Sequence, residues 1–199
     1  MADSFPSKDE LRARLLDARA GRSQADREQA ALGFVEQSLA VPQVADGPRV
    51  AGFLGQRGEP DTRPLVDALR SRGVTVLLPV LLDDFDLDWG AYEPGQQAPG
   101  RFGLLVPTTP RLGTEAIASV AAVICPGLAV DVAGNRMGRG GGSYDRALAR
   151  CGPAVVRCQL VYDDEVLDAV PVANHDQPVD VIVTPTRTIH ISRTGGRDS

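Results

Sequence analysis

Five of the twelve residues from Gly134 to Asp145, GNRMGRGGGSYD, are glycine, with Arg136 and Arg139 set among them. Glycine is entropically costly inside a helix or strand, so a run this rich in it belongs to a loop that needs positive φ or close approach of another group. With no Cβ in the way, successive N–H groups can converge on one point and form an anion nest. The helix expected from Ser143 to Cys151 adds the partial positive charge of its N-terminus. Guanidinium forks suit phosphate or carboxylate oxygens. All four features favour a polyanion such as a nucleoside triphosphate, and a glycine-rich surface turn with solvated arginines is the plainer alternative. The run matches neither GxxxxGK[ST] nor GxGxxG. Asp145 beside a phosphate nest would be repelled unless a cation lay between them. It is therefore a candidate Mg²⁺ ligand, or else a first-turn aspartate favoured by the helix dipole.

Around this loop, strand and helix patterns alternate. Ser7 to Ala20 reads as a helix with Ser7 as N-cap, Glu10 completing a capping box, and a stripe of Leu11, Leu15 and Leu16. Ser23 opens a second helix with Ala30, Ala31, Phe34, Val35 and Leu39 inward, and Pro42 stops it. Arg49 to Gly55 reads as a strand. A helix then begins near Pro60 to Thr62 and closes at Gly73. VTVLLPVL, a strand ending near Cys125, AVVRCQLVY and PVDVIVTP supply further strands. Asp83 to Pro110 is long for a structureless loop, so it is functional or hides short strands. The alternation predicts an α/β fold with a mostly parallel sheet and helices on its faces. Ligands of such sheets sit beyond the carboxyl ends of the strands. Residues 1–190 read as one domain, with a helical pair over 1–42 packed on it and a polar, disordered tail over 191–199.

With 199 residues, the chain is long enough for one such domain. A formal charge of −5 argues against broad nucleic-acid binding. No apolar run approaches the roughly 20 residues of a membrane span, and the first residues lack the apolar core of a signal peptide. A cytoplasmic location is the expectation. Cys125, Cys151 and Cys158 are too few and too scattered for a disulfide framework or a CxxC zinc site. Lys8 is the single lysine among 21 cationic side chains, which suggests either a specific need for an ammonium or chance.

PGLAVDVAGNRMGRGGGSYDRAL as a whole resembles the signature of the 5-formyltetrahydrofolate cyclo-ligase family. Pro126-Gly127, Asp131, Gly134, Arg136, Gly138, Gly140, Gly142, Tyr144 and Asp145 fall in register, and Ser143 stands where tyrosine is usual. The resemblance extends over nearly the whole chain. It implies ATP contacts at Lys8 and Arg12, a pair that without it reads as a solvated helix face. It adds ATP contacts at Arg136, Met137, Gly138, Arg139, Gly140, Gly141, Gly142, Ser143 and Tyr144. It puts the folate at Leu54, Glu59 and Phe102, with Phe102 offering apolar surface to the pterin. His175-Asp176 matches a family segment, so Asp176 would join Asp145 in holding Mg²⁺. Arg139 and Tyr144 would act in catalysis, Tyr144 by orienting the formyl group or the γ-phosphate. Val106 departs from the family, many of whose members carry glutamate there.

The implied fold is three-layer α/β/α, like ribose-5-phosphate isomerase and the CoA transferases. The implied reaction is ATP-dependent cyclisation of 5-formyltetrahydrofolate to 5,10-methenyltetrahydrofolate by a monomer with small-molecule partners only. An altered-substrate or non-catalytic phosphate-binding relative on the same fold is the alternative.

Overall fold

The computed structural model describes residues 7–56 and 58–192. The elements are α1 (Lys8–Ala20), α2 (Gln24–Leu39), α3 (Pro42–Ala45), β1 (Arg49–Ala51), α4 (Arg63–Ser71), β2 (Thr75–Leu81), β3 (Leu87–Ala91), β4 (Gln97–Pro99), β5 (Leu105–Pro107), β6 (Ala122–Pro126), β7 (Ala129–Asp131), β8 (Arg136–Met137), α5 (Ser143–Ala149), β9 (Val156–Leu160), β10 (Val166–Leu167), β11 (Val181–Val183) and β12 (Thr188–His190). The main sheet runs β12-β11-β9-β6-β1-β2-β3. Its five inner strands are mutually parallel, and only β3 and β12 at the edges pair antiparallel.

Alternation along the strands divides the core into two layers. Val50, Val76, Leu78, Ile124, Cys158 and Val183 face one way, toward Phe34 of α2 and Leu65, Val66 and Leu69 of α4. Ala51, Leu77, Val123, Cys125 and Ile182 face the other way, toward Ala147 and Leu148 of α5, Ile117 and Trp89. Helical layers therefore cover both faces, which is the three-layer α/β arrangement expected. A small sheet, β10-β7-β8, stands beside the main one. Its Ala129 and Met137 pack with Leu128 and Val170 against Leu11 and Leu15 of α1.

The capping residues behave as their chemistry predicts. Ser7 with Glu10, and Ser23 with Asp26, form reciprocal capping boxes at the starts of α1 and α2. The ends of other elements differ from the sequence reading. β1 stops at Ala51 instead of continuing to Gly55. The chain turns back so closely that a Cβ on Gly55 would lie 1.8 Å from the Pro60 carbonyl oxygen. Thr62 closes this turn by accepting from Gly55 N and donating to Phe53 O, so its hydroxyl does not cap α4. Pro42 opens the short α3 where it was read only as a stop. α5 ends at Ala149, two residues earlier than Cys151. Asp83 to Pro110 contains β3 and the β4–β5 hairpin, and Trp89 in β3 is fully buried. Residues 193–199 of the polar tail lie outside the described residues. The three cysteines are free and buried. Burial pushes the Cys125 thiol up to about 11 and raises those of Cys158 and Cys151 as well, so a packing role fits all three.

The largest buried polar device ties α1 to the sheet. Arg19 is 1% exposed. Its Nε and Nη2 donate to Oε1 and Oε2 of Glu165 at 2.6 and 2.8 Å, and Nη2 also donates to the Gly127 carbonyl at 2.5 Å. Glu165 in turn accepts from Tyr162 N at 2.8 Å. Arg19→Ala would leave the Glu165 carboxylate buried without a counter-charge. The expected loss is about 3–5 kcal/mol in urea unfolding. A loss no larger than that of an exposed-surface substitution would remove Arg19 from this role.

Candidate functional site

One cavity of about 730 Å³ opens at the carboxyl ends of β1, β2 and β6. This is where parallel sheets present ligand sites, because the strand-to-helix loops gather there. Every site residue expected from the sequence lines it: Lys8 and Arg12 from α1, Leu54 and Glu59 from the turn after β1, Phe102, the stretch from Arg136 to Asp145, and Asp176. Five segments far apart in the sequence thus meet on one surface.

The glycine-rich run does not form a single loop. Gly134, at φ 85°, makes the turn of the β7–β8 hairpin, and Arg136-Met137 are strand. Only Gly138 to Gly142 form the loop facing the cavity. Gly140 at φ 101° and Gly142 at φ 67° need glycine for conformation, and Gly142 is also the N-cap residue of α5. Built Cβ atoms at Gly138 to Gly142 would meet nothing closer than 3.5 Å, so the loop is open to an incoming group. α5 has only seven residues. Its terminus therefore adds less than the loop amides and the guanidinium groups around them.

Each cation of the site rests on protein oxygens. Lys8 Nζ donates to Asp176 Oδ2 at 2.8 Å. Arg12 donates through Nε to Gly138 O at 3.1 Å and through Nη1 to Asp9 Oδ1 at 2.5 Å. Arg139 Nε donates to Glu59 Oε1 at 3.0 Å. Arg136 differs in kind. It is 5% exposed, donates through Nε to Gln177 O at 3.1 Å, and through Nη2 to Asp145 Oδ1 at 2.5 Å. The Gln177 amide also donates to Asp145 Oδ1, at 3.0 Å. The sequence reading grouped Arg136 with the phosphate cations; its Nε and Nη2 are engaged on Gln177 and Asp145, while its side chain still lines the cavity.

Asp176 also accepts from Ala173 N at 2.7 Å. Burial alone would push its carboxyl up, but the Lys8 ammonium and the Ala173 amide outweigh burial and hold it below the ordinary aspartate value. The Tyr144 hydroxyl is buried and has no hydrogen-bond partner among the described residues. Burial, then the nearby Cys125 and Glu59, raise it well above 10, so it remains a neutral O–H donor throughout the physiological range. Val106, the departure from the family pattern, does not line the cavity. Its methyls lie against Gly100.

Sequence reasoning passed over Phe85, Gln56 and Leu105, which also line the cavity. It passed over Arg146 as well, whose Nη2 bridges Gly141 O at 3.4 Å and Phe85 O at 3.1 Å. For Phe85 and Leu105 the available signal was the length of the 83–110 stretch; Gln56 and Arg146 carried none.

An open parallel sheet with an amide-lined loop, paired cations and a facing aromatic wall is the layout of an α/β protein that handles a phosphorylated ligand beside an apolar one. The sequence profile described as the 5-formyltetrahydrofolate cyclo-ligase family matches residues 4–185. A 5-formyltetrahydrofolate cyclo-ligase of Mycolicibacterium smegmatis is 36% identical over 191 residues, covering 92% of this chain and 96% of the relative. An NMR structure of 5,10-methenyltetrahydrofolate synthetase from Aquifex aeolicus superposes with a TM-score of 0.81 at 26% identity, covering 96% of each chain. The 5,10-methenyltetrahydrofolate synthetase of Mycoplasma pneumoniae shares the fold, with a TM-score of 0.72 at 15% identity, covering 90% of this chain and 99% of that one. The chain belongs to the 5-formyltetrahydrofolate cyclo-ligase family.

The depressed Asp176 carboxyl contributes stability that is present above its unfolded value of 3.8 and lost as pH falls through the lower folded value. In Lys8→Met the Asp176 side-chain carboxyl should titrate at higher pH by NMR, and acid unfolding should begin earlier. An unmoved titration would mean that Lys8 does not set it.

Proposed function

We propose that this protein uses ATP to close 5-formyltetrahydrofolate into 5,10-methenyltetrahydrofolate, releasing ADP and phosphate. The observation that carries this reading is the Arg139–Glu59 contact at 3.0 Å. It joins the phosphate-facing loop to the folate-facing turn within one cavity, so the two substrates would meet there.

A formamide carbonyl is a poor electrophile, because nitrogen donates into it. In the proposed reaction the formyl oxygen attacks the γ-phosphorus, the bond to ADP breaks, and the formyl carbon becomes an activated iminium phosphate. N10 then attacks that carbon and loses its proton. The C–O bond breaks, and inorganic phosphate leaves with the former formyl oxygen. Such phosphoryl transfer is served by positioning and charge neutralisation. The Gly138 to Gly142 amides cradle phosphate oxygens, while Lys8, Arg12 and Arg139 neutralise them. Arg136 holds Asp145. Tyr144 donates its unpartnered O–H to the formyl or γ-phosphate oxygen. Glu59 accepts from the folate.

The residues fit a Mg²⁺ ion that arrives with the nucleotide. No group of three metal-ligating side chains occurs among the described residues, but Mg²⁺ commonly takes only one or two carboxylates and completes its shell with phosphate oxygens and water. Asp145 and Asp176 each commit one oxygen to strong protein donors, and these two carboxylates are the residues that would hold the ion. When bound, Mg²⁺ would neutralise charge on the transferring phosphates.

No helix among the described residues is long and apolar enough to cross a membrane. On this reading the protein acts, as expected from its sequence, in the cytoplasm as a monomer on small molecules.

The test is methenyl formation, followed by its absorbance, with 5-formyltetrahydrofolate, ATP and Mg²⁺. Turnover should require all three. Arg139→Ala should lose about 10²–10³-fold in kcat, as removal of a transition-state donor does. Asp145→Ala should lose turnover, because it removes a carboxylate for Mg²⁺ and leaves Arg136 buried without its partner. ATP binding without turnover when folate is added would favour a phosphate-binding relative. Wild-type turnover in either variant would refute that residue's role.

A further inference from the structure

Phe85 and Phe102 are the only non-glycine residues with positive φ among the described residues, at 65° and 54°. Left-handed backbone is strained for a bulky side chain and persists where the surroundings impose it, often at ligand clamps. Neither ring recovers that strain by burial, since they are 42% and 57% exposed. Both line the cavity. Their faces lie within 19° of parallel with centroids 6.4 Å apart. The Arg101 guanidinium carbon is 5.6 Å from each centroid.

The two loops are braced from several sides. Phe85 N donates to Leu82 O at 3.2 Å. Arg146 holds the Phe85 carbonyl and Gly141 of the phosphate loop with a single nitrogen. Arg101 Nη1 donates to Leu82 O at 2.8 Å and to Asp83 Oδ1 at 2.9 Å, which joins the Phe102 loop to the Phe85 loop. The Gln56 side-chain amide donates to Gly103 O and accepts from Leu105 N.

We propose that Phe85 and Phe102 form an aromatic clamp for the p-aminobenzoyl ring of the folate, and that Arg101 takes the glutamate carboxylate beyond it. The proposal rests on the folate reading above. N10 must reach the activated formyl carbon beside the phosphate loop, and N10 is bonded directly to the benzoyl ring. That ring therefore emerges next to the loop, and Arg146 fixes Phe85 to the loop at that place. A flat π-face suits the offset stacking of phenyl rings. A guanidinium fork suits the carboxylate that follows. Asp83 is exposed, and exposed ion pairs are weak, so a bound carboxylate can take its place on Arg101. Phe102, assigned to the pterin from sequence, contacts the next ring along instead.

The experiment compares 5-formyltetrahydrofolate with 5-formyltetrahydropteroate, which lacks the glutamate, in wild type, Arg101→Gln and Phe85→Ala. Wild type should favour the folate in kcat/KM by on the order of tenfold, the size of one charge-assisted contact. Arg101→Gln should bring that preference toward one through the folate KM, without moving the KM for ATP. Phe85→Ala should raise KM for both substrates, because both carry the benzoyl ring. Wild-type preference retained in Arg101→Gln, or a Phe85→Ala KM unchanged for both substrates, would overturn the assignment. So would a collapse in melting temperature, which would make the cluster a folding device. A wild type that converts neither substrate sinks the folate reading and this inference with it. A wild type that converts both, with preference intact in Arg101→Gln, sinks only this inference.

Discussion

The Arg19 fork holds the whole site in register. It lies inside α1, and its two nitrogens bind both oxygens of Glu165 and the carbonyl of Gly127. Gly127 directly follows β6, a central strand, so the anchor reaches the middle of the sheet. α1 is stiff over its 13 residues. Fixing its distal end and burying Leu11 and Leu15 on the small sheet carries Lys8 and Arg12 to the cavity rim. Buried ion pairs contribute little net stability against well-packed apolar replacements. This one adds direction, since a fork with three oxygen partners permits one placement of the helix where an apolar patch would permit several.

The remaining wall follows from strand topology. β1, β2 and β6 are adjacent and parallel, so the loops at their carboxyl ends rise side by side. The turn after β1 brings Glu59, the loop after β2 brings Phe85, and the chain after β6 leads to the hairpin that delivers Arg136. The small sheet then sets the Gly138 to Gly142 loop across from these turns. A cavity between a rigid sheet edge and an appended hairpin can be polar on one side and aromatic on the other, as a reaction between a triphosphate and a heterocycle requires.

Local signals in the sequence were strong wherever one residue type had one physical use. Ser7 with Glu10 marked the start of α1, and short aliphatic runs rich in β-branched residues marked the parallel strands. The glycines at 138 to 142 marked a loop without Cβ atoms. What the sequence hid was decided by contacts between distant residues. β1 ended early because Gly55 must pass under Pro60, a proximity that no local pattern encodes. β3 carries Asp88 and Gly90, poor strand formers, and is held by its pairing with β2 and by the burial of Trp89. Phe85 gave no motif at all. Its significance lies in a backbone angle and in a ring 17 positions further along, Phe102.

The arginines of the motif divide their labour by burial. A pair exposed to water is worth about 0–1 kcal/mol, whereas breaking a buried pair costs about 3–5 kcal/mol. Arg139 is 42% exposed in its pair with Glu59, whereas Arg136 is 4% exposed in its pair with Asp145. Under the proposed function, Arg139 is the arginine already open to water on the side a triphosphate would approach, while the two carboxylates are similarly shielded, Glu59 at 14% and Asp145 at 17% exposed. Arg136 has no such opening, since its guanidinium is buried between Asp145 and the Gln177 carbonyl, and pulling it away would cost a buried pair. Two arginines three positions apart, in one glycine-rich run, thus differ in what burial allows them: under the proposed function the open one would turn to the ligand, and the buried one would hold Asp145 in place.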